Sequence, residues 1–388
     1  MFARTTLLAA VLLAAPAAAQ TSLDKTLTPY LEKHELPAVA AAVVKEGKVV
    51  AVGAVGTRKV GADLPVTVND RFHLGSDTKA MTALLAGMLV EDGKLKWTST
   101  LPDVFPALVE DMDGKLKAVT LEQFLSHTSG VPAADAALMT AIEKATLADG
   151  NLDEQRYGLV KQWSRRPIGA PGEFAYANMN YVFAGAMIER LAGKTWEELV
   201  TERVFNPLEL KTAGIGCQAS LGRVDAPLGH MLVDGKRKAF HAGPNGDNPL
   251  VLGPAGTGHM SVLDFAKWAG WVSGGGNRGP KLVKPETLTK MLTPVVTFPP
   301  KKDAPPGTPS GGGYALGWGE MAVDWAADPL VHHGGSNGKN LAHIWIDRKR
   351  DLAMVVLTNI SGTKADEALK AIARELYEQH AGSAKPGK

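Results

Sequence analysis

Cysteine is nearly absent from this sequence, in which Cys217 is the only cysteine among 388 residues. A single cysteine cannot form an intramolecular disulfide, so the stability of the folded chain must come from its core. An isolated cysteine is more often a small apolar core residue than a nucleophile, and we expect that role for Cys217.

The sequence also lacks an excess of either charge. It has 42 Lys and Arg residues against 40 Asp and Glu residues, and the two signs are interspersed along the chain. Without a basic stripe, nucleic acid is not an expected partner. The hydrophobic fraction of 45% and the charged fraction of 21% are ordinary for a globular protein with a full core, which excludes a disordered chain.

Long hydrophobic runs are missing outside the first twenty residues. There, Arg4 precedes an apolar run from Leu7 to Ala15, and three alanines ending at Ala19 come before Gln20. This arrangement is typical of a cleavable signal peptide, predicted over residues 1–19 with its cleavage site near Ala19. We therefore expect a periplasmic or secreted protein with no stable membrane span. The alternative is an N-terminal anchor that is not cleaved.

Strand-like patterns occur near both ends of the chain, and helical patterns fill the middle. Two apolar runs, Ala38–Val44 and Val49–Val55, flank a Glu-Gly-Lys turn and predict a hairpin. Two more, Leu341–Ile346 and Leu352–Leu357, are separated by a charged turn and precede a helical pattern over 364–378. The predicted fold class is α/β (α+β), with one antiparallel sheet built from both chain ends, flanked by helices, and an inserted mainly helical region.

These patterns predict a single catalytic domain over residues 20–380, followed by a flexible tail over residues 381–388. The domain would consist of an α/β part, about residues 20–95 and 255–380, and a helical region, about residues 96–254.

A long apolar helix is predicted from Asp77 to Glu91, directly after the strand-like segment Phe72-His73-Leu74. Ser76 and Lys79 stand at its beginning in a Ser-x-x-Lys arrangement. Only this pair opens a long apolar helix after a strand, so its position rather than its spacing makes Ser76 the candidate nucleophile. The same spacing occurs at Ser22/Lys25, Ser336/Lys339 and Ser361/Lys364.

The position of Ser76 has chemical consequences. Residues three apart on a helix share one face, so the Lys79 amine can reach the Ser76 hydroxyl. The helix N-terminus carries partial positive charge and free N–H groups, which favour an oxyanion at Ser76. The same field, together with burial, shifts Lys79 toward its neutral form, as a general base requires. The other interpretation makes Ser76 a helix cap and Lys79 a solvated surface lysine.

The chain contains one Tyr-x-Asn sequence, Tyr176-Ala177-Asn178, which follows Pro171-Gly172 and opens a helical pattern. A tyrosine hydroxyl can relay a proton when nearby cations hold it close to ionisation. The Asn178 amide can bind a substrate carbonyl and the lysine together. Otherwise the two residues are a buried tyrosine and a capping asparagine.

A glycine-rich segment with two histidines, His332-His333-Gly334-Gly335-Ser336-Asn337-Gly338, precedes the last two predicted strands. Glycines at this place let a substrate backbone lie against a strand edge. One histidine at that edge can hydrogen-bond a substrate carboxylate or the relay tyrosine, and we expect the other to be a packing residue.

In this order, Ser76-x-x-Lys79, Tyr176-x-Asn178 and a His-x-Gly strand resemble the class C β-lactamase and penicillin-binding-protein family of serine hydrolases. That family includes carboxylesterases, D-amino-acid peptidases and D-alanyl-D-alanine carboxypeptidases. The resemblance implies a β-lactamase/transpeptidase-like fold and an acyl-enzyme on Ser76, with Lys79 and Tyr176 as the other catalytic residues. Further matching phrases are Leu125-Ser126-His127-Thr128-Ser129-Gly130, Phe205-Asn206-Pro207-Leu208, Tyr314-Ala315-Leu316-Gly317-Trp318 and Leu357-Thr358-Asn359.

The resemblance leaves two registers for the third motif, His332-His333-Gly334 and His333-Gly334-Gly335. We prefer the second, because it places Gly335-Ser336-Asn337-Gly338 over the family's Gly-Ser-Thr-Gly and reaches the final strand without a gap. The resemblance then implies an oxyanion hole made by the backbone N–H groups of Ser336 and Ser76. The implied substrate-binding and supporting residues are Asn178, His333, Gly335 and Ser336.

A histidine in place of lysine in the third motif differs from true class C β-lactamases and resembles the esterase and peptidase members. We therefore expect a serine hydrolase whose substrates are small-molecule esters or amides, or peptidoglycan-like peptides. Short esters or D-amino-acid amides rank first, cell-wall D-alanyl peptides second and β-lactams third. The alternative is a D-alanyl-D-alanine carboxypeptidase or a β-lactamase proper.

Two further alternatives assign the site differently. Gly334–Gly338 matches a Gly-x-Ser-x-Gly elbow with Ser336 as nucleophile, but such an elbow needs a helix after the serine, and a strand pattern starts at Leu341. A non-catalytic peptidoglycan- or β-lactam-binding protein would keep the groove and lose catalytic residues, whereas all three are present. No Gly-rich phosphate loop or His/Glu metalloprotease spacing occurs, so we expect no cofactor and no metal.

Overall fold

A computed structural model describes residues 20–134, 136–243, 246–301 and 303–382. The predicted signal peptide and residues 383–388 of the predicted tail lie outside the described residues. The strands are β1 Thr21–Ser22, β2 Ala38–Lys45, β3 Lys48–Gly56, β4 Arg71–His73, β5 Gly214–Ile215, β6 Gly229–Val233, β7 Lys236–Phe240, β8 Gly258–Ser261, β9 Val296–Phe298, β10 Gly312–Tyr314, β11 Gly319–Met321, β12 Leu330–Ser336, β13 Leu341–Asp347 and β14 Leu352–Thr358.

The helices alternate with these strands and concentrate in the middle of the chain. They are α1 Asp24–Lys33, α2 Thr78–Glu91, α3 Leu101–Val104, α4 Leu121–Leu125, α5 Ala136–Thr146, α6 Leu152–Trp163, α7 Asn178–Ala192, α8 Trp196–Val200, α9 Gly253–Gly256, α10 Val262–Ser273, α11 Pro285–Leu292 and α12 Thr363–His380. None of the described helices is long and apolar enough to cross a membrane.

Within the described residues, one large sheet contains nine strands in the order β1-β3-β2-β14-β13-β12-β11-β10-β9. Strands from the two chain ends meet where β2 pairs with β14, which confirms the predicted fold class. The sheet is mixed rather than purely antiparallel, because β1 runs parallel to β3. Sequence patterns missed β9, β10 and β11, since strands of three residues are too short to show a period of two.

Each face of the large sheet is covered by helices. On β13, the side chains of Ala342 and Ile344 belong to the core on the α2 and α10 side, and those of Leu341 and Trp345 belong to the core beneath α1 and α12. Because both faces are covered, β13 and β14 are buried along their whole length. This explains their continuous apolar runs.

The middle of the chain brings α7 against α2 and α4. It also contains the β6–β7 hairpin and the short strand β5, so the region predicted to be mainly helical includes some sheet. A separate small sheet has the strand order β4-β8-β5, and its strand β4 directly precedes the turn that leads into α2. The predicted boundaries between the α/β part and the helical region remain predictions.

The chain enters α2 through a 3₁₀ turn, Gly75–Asp77, so Ser76 lies in the turn and the α-helix itself begins at Thr78. The helix is buried from Thr78 to Leu89, as its apolar composition predicts. This places a serine hydroxyl and a lysine amine inside the protein, between the sheet and the helical region.

Candidate active site

The amine of Lys79 has three oxygen atoms around it. Its Nζ lies 3.0 Å from Oγ of Ser76, 2.8 Å from Oδ1 of Asn178 and 2.7 Å from the carbonyl oxygen of Ala255. A neutral amine can donate to the last two oxygens and accept the hydroxyl proton of Ser76. The geometry therefore suits Lys79 as a general base, and it brings together Ser76, Lys79 and Asn178 as the sequence predicts.

Burial controls the charges at this site. The Lys79 side chain is fully buried, and this burial lowers its pKa well below that of an ordinary lysine, although the nearby Asp77 carboxylate acts in the opposite direction. Burial also raises the pKa of Asp77 well above its usual value, and Lys79 counteracts this increase. Neither carboxylate oxygen of Asp77 has a hydrogen-bond partner among the residues that the structure describes.

Tyr176 lies against the lysine. The Lys79 Nζ is 4.9 Å from the centroid of the Tyr176 ring and 5.3 Å from that of Tyr181. Within the described part of the chain, the Tyr176 hydroxyl is buried without a hydrogen-bond partner, and burial raises its pKa, while the neighbouring Ser76 hydroxyl partly offsets the increase. The tyrosine is thus close enough to exchange protons with the Ser–Lys pair once a substrate connects them.

His127 holds the segment that carries Tyr176. Its carbonyl oxygen accepts from the backbone N–H of Ala175, and its Nδ1 accepts from the backbone N–H of Ala177. The residue has a left-handed backbone with φ of 57°, and its ring lies 4.3 Å from the Tyr176 ring. These contacts give His127 a structural role in closing this turn.

The two histidines of the glycine-rich segment point to opposite faces of β12. The His333 ring faces Asp77 and the buried site, whereas the His332 ring packs 3.8 Å from the Trp345 ring on the other face. His333 Nδ1 lies 2.7 Å from the Gly334 carbonyl oxygen, and Nε2 lies 3.0 Å from the Tyr314 hydroxyl. The tyrosine that contacts His333 is therefore Tyr314 and not Tyr176.

Burial and the charge of Lys79 lower the pKa of His333 to about 3, so its imidazole is neutral at neutral pH. With Nδ1–H donating to the carbonyl oxygen, Nε2 accepts from the Tyr314 hydroxyl. Both ring nitrogens are then occupied within the protein, and neither supplies a positive charge to the groove.

Glycines let β12 approach the turn that contains Ser76. A Cβ atom at Gly335 would collide with the carbonyl oxygen of Leu74 and lie 2.6 Å from the backbone nitrogen of Ser76. A Cβ atom at Gly75 would collide with the backbone nitrogen of Ser336. Two backbone N–H groups, those of Ser76 and Ser336, are thus on closely packed segments, as an oxyanion hole requires.

The Ser336 hydroxyl lies 2.9 Å from the Ser361 hydroxyl and accepts from the backbone N–H of Gly338 at 2.9 Å. A tight turn and β13 follow Ser336, where a nucleophile elbow needs a helix. The alternative in which Ser336 is the nucleophile is therefore wrong.

Sequence reasoning missed two polar residues that line the buried site, Asp77 and Tyr314. Asp77 stands inside the Ser-x-x-Lys motif, and Tyr314 stands in a phrase that carries the family resemblance, but neither spacing shows where the side chain points. Cys217 is half-buried rather than buried, and burial raises the pKa of its thiol, which disfavours a nucleophile. Among the described residues, no group of three His, Cys, Asp or Glu side chains is placed to hold a metal ion.

The fold and the buried Ser–Lys pair are those of a serine hydrolase. The family model described as Beta-lactamase matches residues 23–379, and the chain belongs to this family.

The sequence is also similar to those of two bacterial proteins. The chain is 25% identical over 359 residues to penicillin-binding protein 4 of Amycolatopsis lactamdurans, a match that covers 91% of this chain and 88% of that protein. It is 23% identical over 350 residues to protein flp of Staphylococcus aureus (strain N315), covering 88% of this chain. The chain spans only 63% of the length of that Staphylococcus protein.

Solved structures share the fold. The octameric penicillin-binding protein homologue from Pyrococcus abyssi superimposes with a TM-score of 0.73 at 25% identity, over 92% of this chain and 76% of that one. A D-stereospecific amidohydrolase from Streptomyces sp. gives a TM-score of 0.70 at 19% identity, over 93% of this chain and 99% of that one. The second likeness shows the fold alone.

Proposed function

We propose that this protein hydrolyses ester and amide bonds of small molecules through an acyl-enzyme on Ser76. The observation that carries the proposal is the buried Lys79 amine, 3.0 Å from the Ser76 hydroxyl, with burial lowering its pKa. A serine hydroxyl at a helix N-terminus becomes an activated nucleophile when a neutral lysine beside it can take its proton.

In the proposed reaction, Lys79 takes the Ser76 hydroxyl proton as Oγ attacks the substrate carbonyl carbon. The backbone N–H groups of Ser76 and Ser336 bind the resulting oxyanion. Tyr176 relays a proton to the leaving alcohol or amine, which departs and leaves the acyl group on Oγ. Water, deprotonated by the same groups, then attacks the acyl carbonyl and restores the Ser76 hydroxyl.

The neutral state of His333 favours substrates without a carboxylate at the leaving-group end. A lysine in this motif would offer a cation to such a carboxylate, whereas His333 is neutral and occupied by Tyr314. We therefore propose short esters and D-amino-acid amides as the first substrate class, ahead of D-alanyl peptides and β-lactams.

Labelling with a fluorescent alkyl phosphonate tests the nucleophile. The wild-type protein should become covalently labelled, and Ser76→Ala should not. Ser22→Ala is the matched control, because Ser22 also has a lysine three residues later but is exposed at the beginning of the described chain. Equal labelling of Ser76→Ala and the wild type contradicts the proposal.

Substrate class is tested by measuring kcat/KM side by side for a short p-nitrophenyl ester, a D-alanine amide, a D-Ala-D-Ala peptide and nitrocefin. The ester and the amide should be the best substrates. A clear preference for the peptide or for nitrocefin overturns the substrate order but leaves the acyl-enzyme on Ser76 in place.

We also propose that residues 1–19 direct export and are removed near Ala19. N-terminal sequencing of the protein recovered from the periplasm or the medium should begin close to Gln20. Recovery of the protein only from the cytoplasm, with residues 1–19 intact, contradicts this proposal.

A further inference from the structure

Asp247 lies between the two backbone segments that carry Ser76 and Ser336. Its Oδ1 is 2.7 Å from Nε2 of His73, a close contact without hydrogen-bond geometry, and it accepts a hydrogen bond from Nδ2 of Asn337 at 3.0 Å. The side chain of Asp247 is 6% exposed and that of His73 is fully buried. One carboxylate oxygen therefore contacts two different parts of the fold.

The first contact leads to the turn before the nucleophile. His73, the last residue of β4, accepts a hydrogen bond at Nδ1 from the backbone N–H of Gly75 at 3.0 Å. Since Nδ1 is an acceptor, the imidazole hydrogen lies on Nε2, which faces Asp247. Asp247 thus holds His73, and His73 holds the turn that presents the N–H of Ser76.

The second contact leads to the end of β12. Asn337 directly follows Ser336, and its Oδ1 accepts from the backbone N–H groups of Lys339 and Asn340 at 3.2 and 2.9 Å. Asn340 is held in turn by Gln218, whose amide donates to Asn340 Oδ1 at 2.9 Å. Asp247 therefore anchors the turn that presents the N–H of Ser336.

We propose that Asp247 is a positioning residue that fixes the two backbone N–H donors, of Ser76 and Ser336, at the separation that a tetrahedral oxyanion requires. The inference rests on the proposed acyl-enzyme mechanism. A positioning residue is needed because the two N–H donors belong to different elements, the turn before α2 and the end of β12. Neither element alone determines the distance between the donors.

Two features favour this role over simple anchoring of a loop. The other carboxylate oxygen of Asp247, Oδ2, is buried without a hydrogen-bond partner among the described residues, and such an arrangement costs free energy that an apolar residue would avoid. Burial opposes ionisation, but the His73 ring and the Asn337 amide hold the pKa of Asp247 below its usual value. The carboxylate is thus charged at neutral pH, and it attracts the His73 ring N–H and the Asn337 side-chain amide.

The test replaces Asp247 with Leu, which removes the acceptor and keeps much of the volume, and with Asn, which keeps one acceptor oxygen. For the ester substrate, Asp247→Leu should lower kcat by about 10- to 100-fold with KM nearly unchanged, because small displacements of oxyanion donors cost this much. Affinity for an alkyl boronic acid, which forms a tetrahedral adduct on Ser76, should fall in the same proportion. Asp247→Asn should recover a large part of both losses.

Asp225→Leu is the matched control. Asp225 also lies in a loop and approaches β4, with Oδ2 3.5 Å from Nη2 of Arg71, but its hydrogen bonds within the described residues go to Ser220 and not to the segments of Ser76 or Ser336. Its kcat and boronate affinity should stay at the wild-type values. Should Asp247→Leu fail to fold, Asp247→Ala is measured by the same criteria.

A folded Asp247→Leu or Asp247→Ala variant with wild-type kcat and boronate affinity overturns the inference, as does a loss confined to the melting temperature or to KM. The proposed function fails separately, through phosphonate labelling of Ser76→Ala. An inactive Ser76→Ala beside a fully active Asp247→Leu therefore rejects only the role of Asp247.

Discussion

The Asp77 carboxyl group lies with Oδ1 3.5 Å from Nδ1 of His333, and neither of its oxygens has a hydrogen-bond partner in the described ranges of the chain. Asp77 directly follows Ser76, and its charge raises the pKa of Lys79 against the lowering caused by burial. When it is ionised, a carboxyl group at this place favours the charged form of the proposed base, although burial raises its own pKa. Its effect on the reaction can be measured through the pH dependence of activity.

Asp77→Asn should move the acidic limb of the kcat/KM profile to lower pH. The carboxylate favours the charged form of Lys79, so its removal lowers the lysine pKa, and the neutral base is present at lower pH. A shift of about one unit is expected for the loss of a nearby opposite charge. The profile of a p-nitrophenyl ester from pH 5 to 10 measures it.

The wild-type profile provides the reference for that shift. Its rate should rise through an apparent pKa well below the value of about 10.4 for a free lysine and then level off toward mildly alkaline pH. A wild-type rate still climbing steeply near pH 10 argues against Lys79 as a neutral base. An acidic limb that does not move in Asp77→Asn, or moves to higher pH, rejects the role given to Asp77.

Lys79→Ala should lower kcat/KM by about 10²- to 10⁴-fold, the range for loss of a general base. Lys364→Ala is the control, because Lys364 has the same spacing from Ser361 but lies at the surface and pairs with Glu35. Its activity should equal that of the wild type. Circular dichroism of both variants shows whether the fold is retained, and near-normal activity of a folded Lys79→Ala protein rules out the proposed base.

Tyr176→Phe should reduce kcat by about 10²-fold or more while KM changes little, because the ring remains in place and only the proton relay is lost. Tyr157→Phe, at a tyrosine exposed on α6, should leave both constants unchanged. The effect should be larger for amides than for activated p-nitrophenyl esters, since a poor leaving group depends more on protonation. A loss in KM alone would give Tyr176 a binding role instead.

Gly335→Ala should destabilise the protein and abolish activity. The added methyl group would collide with the Leu74 carbonyl oxygen and press on the backbone nitrogen of Ser76, and both atoms belong to packed backbone. In contrast, Gly158→Ala adds a methyl group in open space on α6 and should stabilise the protein by roughly 0.5–1 kcal/mol. Thermal unfolding of both variants tests the pair, and a wild-type melting temperature with full activity for Gly335→Ala would contradict the close packing.

Local patterns in the sequence predicted the elements whose burial is continuous. The β2–β3 hairpin, β13, β14 and α2 all have apolar runs long enough to show a period, and the structure contains each of them within one or two residues of the predicted bounds. The strands β9 to β11 were missed because three residues, several of them glycine, carry no such pattern. Such short strands form when neighbouring strands offer them hydrogen bonds, and that information is not local.

The contacts of the candidate site also divide into those that local sequence predicts and those that depend on the tertiary structure. Ser76 and Lys79 are three residues apart in one segment, so their contact follows from helical geometry alone. His333 was chosen over His332 by its register with the following strand, and the alternation of side chains along β12 places it on the side of Ser76. Its partner Tyr314 lies on another strand, and only the order of strands in the sheet brings the two together.

The sequence by itself determined a buried Ser-x-x-Lys helix after a strand, a sheet built from both chain ends, and a family resemblance that the family match confirms. These depend on local periodicity and on motif order, which a single chain displays. Only the tertiary structure decided that the Asp77 carboxyl group is buried beside Lys79 and His333, that His333 is neutral against Tyr314, and that Asp247 joins the segments of Ser76 and Ser336. Those relationships arise from long-range packing and desolvation, which have no periodic signature in a linear sequence.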